Sequence, residues 1–129
     1  MRFHWAVKIA AWAMSVVLLP SAASAHARVV ASNPAAGATV ANLRVVTLTF
    51  NEALLPPTVA STIVMTAMPG MVDHQPMTIR NFTSSWSNGN RTLTLTLRRA
   101  LRAGTYDVRW QAAGADGHRM TGTVNFIVR

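Results

Sequence analysis

Four segments of this chain alternate so strictly between apolar and polar residues that antiparallel β-structure is the fold they demand. Arg44-Val-Val-Thr-Leu-Thr-Phe50 places Val46, Leu48 and Phe50 on one face. Arg91-Thr-Leu-Thr-Leu-Thr-Leu97 does the same with Leu93, Leu95 and Leu97, and turns its threonines outward. Thr105–Gln111 puts Tyr106, Val108 and Trp110 inside, and Thr121–Val128 puts Val124, Phe126 and Val128 inside. A period of two is the period of a strand with one buried face, and Val, Thr and aromatic residues suit that pleated surface. Weaker strands are expected at Ala27–Ala31, Val59–Thr66 and Met77–Phe82. Turn residues stand between them, at Asn33-Pro34, Gly37, Pro56-Pro57, Pro69-Gly70, Ser87–Asn90, Ala103-Gly104 and Gly114–Gly117. About seven short strands at this spacing predict an all-β, seven-stranded Greek-key sandwich. No stretch has the apolar spacing of an amphipathic helix.

The first 25 residues stand apart from that pattern. Arg2 and Lys8 give a basic start, Ile9–Pro20 is apolar and uncharged, and Ala23 and Ala25 form a small-residue cleavage motif. These are the parts of a secretory signal peptide, and the apolar run falls short of the ~20 residues that span a bilayer. Residues 1–25 are therefore read as a signal peptide and 26–129 as one domain. Cleavage after Ala25 makes His26 the first residue and, by removing Arg2 and Lys8, lowers the formal charge from +8 to +6. An exported chain whose arginines are spread along its length offers no nucleic-acid patch. No second apolar run is long enough to insert in a membrane. The 129 residues contain no cysteine, which excludes disulfides, thiolate metal sites and cysteine nucleophiles. Glu52, Asp73, Asp107 and Asp116 are the whole acidic supply, too few to favour paired-carboxylate catalysis.

What remains for chemistry is methionine and histidine. Met65, Met68, Met71 and Met77 lie within thirteen residues, with His74 among them. Pro69, Gly70 and Pro76 prevent a helix there, so the cluster is a loop. Thioether sulfur is soft, neutral and selective for Cu(I); packing is the competing role, above all for Met65 at a strand end. His26, once at the N-terminus, offers a free α-amine and an imidazole as a six-membered chelate. Nitrogen donors of this kind suit Cu(II), and both must be deprotonated, with reference pKa values of about 7.7–8.0 and about 6.5. Asp116-Gly117-His118 can add a carboxylate and a third nitrogen, although a surface turn containing a histidine has the same sequence. Glu52, at a strand end, is a further oxygen ligand, an outer-shell acceptor or a solvated carboxylate.

Taken in order, these residues resemble the CopC (also called PcoC) family of periplasmic copper-binding proteins of bacterial copper resistance. The resemblance rests on His26-Ala27, Ser32-Asn-Pro34 with Gly37, Leu48-Thr-Phe-Asn-Glu52, the methionine loop, and Ala115-Asp-Gly-His118 before the last strand. It implies a seven-stranded Greek-key sandwich of Ig-like, cupredoxin-related type. It implies Cu(II) ligation by the His26 amine and imidazole, Asp116 and His118. For Cu(I) it implies Met65, Met68, Met71 and Met77 with His74. The partners it implies are an inner-membrane CopD-type copper permease and other Cop proteins. The expected function is that of a periplasmic copper carrier in copper homeostasis and resistance, not an enzyme. Two other classes share parts of the pattern. A histidine-brace copper oxidase or monooxygenase would use the same His26 and His118 but needs a broad flat substrate face, commonly with exposed aromatics, whereas Trp86, Trp110 and Tyr106 are the mature chain's only tryptophans and tyrosine. A metal-free binding module accounts for the fold but not for the histidine placement.

Overall fold

The computed structural model describes residues 15–16, 26–71 and 73–129; the expected signal segment therefore lies, apart from residues 15–16, outside the described part. In chain order the strands are β1 (Val29–Asn33), β2 (Thr39–Val40), β3 (Val45–Phe50), β4 (Ala60–Ala67), β5 (Met77–Ile79), β6 (Phe82–Ser87), β7 (Thr92–Leu97), β8 (Gly104–Ala113) and β9 (Arg119–Val128). Nine strands are thus seen among the described residues where seven were expected: β2 is additional, and β5 and β6 stand where the single strand Met77–Phe82 was expected. The one helical turn among them is a short 3₁₀ segment at Pro56–Thr58, the expected Pro-Pro turn.

The strands form two sheets, a four-stranded one ordered β1-β3-β7-β6 and a five-stranded one ordered β2-β9-β8-β4-β5. Sequence neighbours such as β3 and β4 fall in opposite sheets, while β3 pairs with β7 and β4 with β8, all antiparallel. That is Greek-key connectivity between two facing sheets. Register follows the alternation: Leu48 faces Leu93 across β3 and β7, and Val108 faces Val124 across β8 and β9. All twelve residues assigned inward from their alternation are buried, and they make up most of the core between the sheets. At about 1.5–3 kcal/mol for each large apolar side chain taken out of water, this interface is what holds the sheets together. Phe50 meets the Trp110 ring edge-on at 5.0 Å between centroids, and Tyr106 stacks on Phe126 at 5.7 Å. The Tyr106 hydroxyl donates to the Arg102 carbonyl at 2.7 Å, which satisfies its polar end. Burial raises the Tyr106 hydroxyl above its ordinary pKa, and the Arg102 charge opposes that rise.

Two expectations are corrected. Met77–Phe82 is not one strand: β5 joins β4 in the five-stranded sheet, and β6 begins at Phe82 in the other. A chain that changes sheet cannot keep one face inward throughout, so the alternation breaks at Arg80-Asn81 and β6 carries no clear apolar pattern. Ala103-Gly104 is not wholly a turn either, because Gly104 opens β8. Its missing side chain admits the Ala67 carbonyl, 2.7 Å from where a Cβ would stand.

Candidate functional site

The N-terminal stretch of the described domain is held against the end of β3 by one side chain. Beyond the Val29–Phe50 pair, the Asn51 amide continues the ladder: its Oδ1 accepts from the Arg28 backbone N–H at 2.9 Å, and its Nδ2 donates to the His26 carbonyl at 3.1 Å. Asn51 N–H donates to the Arg28 carbonyl at 3.1 Å, and Arg91 holds the Asn51 carbonyl at 3.1 Å. Ala27 is buried in the core, which leaves His26 just outside it and exposed. The family-like Asn51 next to Glu52 is therefore a positioning residue that pattern alone does not reveal. An amide after a strand end looks like any turn residue until its partners are known.

The facing groups come from the β8–β9 connection. Gly117 takes a left-handed conformation (φ +77°) and donates to the Gly114 carbonyl at 2.9 Å, so the chain reverses there. Asp116 then caps the turn: its Oδ1 accepts from the His118 backbone N–H at 3.1 Å, and its Oδ2 lies 2.9 Å from His118 Nδ1. These hydrogen bonds from His118 hold the Asp116 carboxyl below its ordinary pKa, with the His118 and His26 charges helping and desolvation opposing. Across the gap, the His26 and His118 rings are 5.7 Å apart between centroids, tilted by 56°. One ligand atom each from His26, Asp116 and His118 falls within 4.8 Å of the others, and all three residues are exposed. This spacing lets one ion be held by all three, two imidazoles and one carboxylate. Glu52 is not in that cluster. Its carboxyl group packs directly against Gly114, in the space any side chain there would occupy, and its Oε1 is buried with no hydrogen-bond partner among the described residues. It thus stands beside the Asp116 turn as an unsatisfied acceptor.

The methionines divide. Met65 is buried in β4, directly opposite Met77 of β5 and next to Tyr106 of β8. Met65, Met68 and Met77 together line a cleft of about 360 Å³. Met71 is exposed and His74 half-buried, and neither lines that cleft; His74 Nδ1 is buried with no hydrogen-bond partner among the described residues. The cleft and the histidine cluster stand at opposite ends of the sandwich. Tyr106 lies near the start of β8 and Ala113 at its end, and seven residue steps of strand cover roughly 23 Å.

With the geometry in place, similarity to known proteins is informative. The protein-family model for the CopC domain matches residues 29–129. The chain belongs to the CopC family. Copper resistance protein C of Pseudomonas syringae pv. tomato is 38% identical over 113 residues, 88% of each chain. Copper resistance protein C of Escherichia coli is 33% identical over 107 residues, 83% of this chain and 84% of that one. The crystal structure of PcoC, a methionine-rich copper resistance protein from Escherichia coli, superposes with a TM-score of 0.73 at 30% identity, covering 81% of this chain and all of that one. CopC from Methylosinus trichosporium OB3b shares the fold, with a TM-score of 0.63 at 24% identity. CopC membership places the chain among copper resistance proteins, which bind copper and are not enzymes, and so decides against the oxidase alternative. Among the described residues no helix is long and apolar enough to cross a membrane.

Proposed function

We propose that this CopC-family chain is a periplasmic copper carrier with two separate sites, one for Cu(II) and one for Cu(I). The observation that carries the proposal is the convergence of His26, Asp116 and His118 within 4.8 Å at one end of the sandwich, with the thioether cleft at the other. Removal of residues 1–25 turns the His26 amide nitrogen into an amine. Amine and imidazole of His26, the His118 imidazole and the Asp116 carboxylate then make an N,N,N,O set suited to Cu(II). Asp116 binds and orients the His118 ring through Nδ1, so metal binding at His118 either uses Nε2 or displaces that hydrogen bond. Glu52 serves as a fifth ligand, through oxygen, or as an acceptor for a group bound to the metal.

Met65, Met68 and Met77 hold Cu(I), and Met71 and His74, outside the cleft, meet the ion during entry or transfer. Roughly 23 Å of strand separates the sites, so copper reduced or oxidised by an outside electron donor or acceptor leaves one site and is recaptured by another molecule, not passed along the chain. A CopD-type permease or another Cop protein is the acceptor in that scheme. Copper titration tests it: a version carrying one extra residue before His26 is expected to lose Cu(II) affinity and keep Cu(I) binding. Equal Cu(II) affinity with and without the extension would remove the N-terminal chelate from the site.

A further inference from the structure

The methionine cleft carries charge of the wrong sign for a bare cation. Its lining joins Met65, Met68 and Met77 to Arg99 and Arg102, and contains no carboxylate. Both arginines are exposed. Neither guanidinium has an ion-pair partner among the described residues, where the pairs are Arg109–Asp107 and His118–Asp116. Asp73, the one acidic residue on the methionine loop, is exposed and does not line the cleft. The segment bearing the arginines is well anchored. Leu101 between them is buried and donates its N–H to the Leu43 carbonyl at 3.0 Å, Arg98 N–H bonds the Asn81 carbonyl at 2.9 Å, and the Arg102 carbonyl accepts from Tyr106. The backbone that carries the two arginines is thus fixed at the cleft that the three methionines line.

Three thioethers are neutral, so Cu(I) held by them alone keeps its full positive charge next to two guanidiniums. They also leave open the fourth position of a tetrahedral ion. A soft anion in that position cancels the charge of the metal and accepts guanidinium N–H bonds, which are strongest to charged acceptors.

We infer that the thioether cleft takes Cu(I) together with one small soft anion of the halide class, with the methionines on the metal and Arg99 and Arg102 on the anion. The inference rests on the reading of the cleft as a Cu(I) site and adds a second ligand to it. The metal stays Cu(I) throughout: the copper–halide bond is kept, and sulfur lone pairs fill the other positions.

The test is anaerobic Cu(I) competition titration in bromide and in perchlorate at equal ionic strength, on the parent and on the R99Q/R102Q double variant. Bromide also binds free Cu(I), but that effect cancels when the bromide-to-perchlorate affinity ratio is compared between the two proteins. The parent's ratio is expected to exceed the variant's at least about fivefold, the factor that even one unit charge about 4 Å from an anion gives in a water-like medium. X-ray absorption of the parent in bromide is expected to show one bromine beside the sulfurs, a signal that needs no variant to fold. Equal ratios with a sulfur-only shell would overturn the anion site while leaving the Cu(I) site standing. Absence of Cu(I) binding in both media would overturn the methionine reading and this inference with it.

Discussion

Replacing Asn51 with alanine is expected to weaken Cu(II) binding without touching a single ligand. Asn51 spends both ends of its amide on the N-terminal stretch, accepting from Arg28 at 2.9 Å and donating to the His26 carbonyl at 3.1 Å. A hydrogen bond of this kind contributes about 1 kcal/mol net, and both of these are exposed, so water replaces part of the loss. The pair therefore holds His26 in place by about 1–2 kcal/mol. Burial of Ala27 and the β1–β3 ladder remain and limit how far the stretch can move. When copper binds, the variant must first order what the parent already holds, so the whole of that 1–2 kcal/mol falls on binding. At about 1.4 kcal/mol per factor of ten, the Cu(II) dissociation constant should rise by roughly 5–30-fold. Competition against a chelator of known affinity at neutral pH, using protein that begins at His26, measures this directly. Cu(I) affinity at the far end serves as the internal control and is expected to stay unchanged. A Cu(II) dissociation constant within about twofold of the parent would refute the role of Asn51 as the clamp that positions His26.

Three further outcomes are expected. Met71→Leu should leave Cu(I) affinity nearly intact, whereas Met68→Leu or Met77→Leu should lower it at least about tenfold; titration of each variant checks this, and the exchange conserves volume, so stability should change by less than about 1.5 kcal/mol. Gly122→Ala should destabilise the fold by about 1–3 kcal/mol in urea unfolding, because the new methyl carbon would stand 2.5 Å from the Trp110 ring, itself packed against Phe50. The Asp116 carboxyl has a lowered pKa in the folded chain, so its contribution to stability is complete above the ordinary carboxylate value of about 3.9 and is lost as pH falls through the lowered value. Unfolding of the metal-free protein against Asp116→Asn should therefore show the two stabilities diverging above that window and converging below it.

Much of the fold was legible because each long strand has one wet face and one dry face, and a two-residue period records that directly. Val46, Leu48, Phe50 and the leucines of β7 could be assigned inward without knowing what they meet. The break between β5 and β6 was hidden for the converse reason. Both strands lie at the edges of their sheets, β5 is three residues long, and most of their side chains are exposed, so burial imposes no alternation on them. At the candidate sites, residue type marked the donors. Histidine, aspartate and methionine in a chain without cysteine are few enough to be noticed one by one. Supporting residues were not marked. Asn51, Gly114 and the arginines beside the methionines are ordinary in the sequence, and their roles consist entirely of what stands next to them.

By itself, then, the sequence determined the sandwich, its inward faces, and the chemical classes of ligand available. The tertiary structure alone decided how those ligands are grouped. Residues 26 and 118 lie far apart in the chain, and only the pairing of β1 with β3 and the packing of one sheet on the other carry His26 to the Asp116 turn. The pairing of β4 with β5 and β8 buries Met65 in the core while Met71, six residues on, stays exposed, since a strand position is constrained by two neighbouring strands and a loop position is not. Local chemistry is a property of residue type and spacing; proximity across a Greek key depends on pairings between segments distant in sequence.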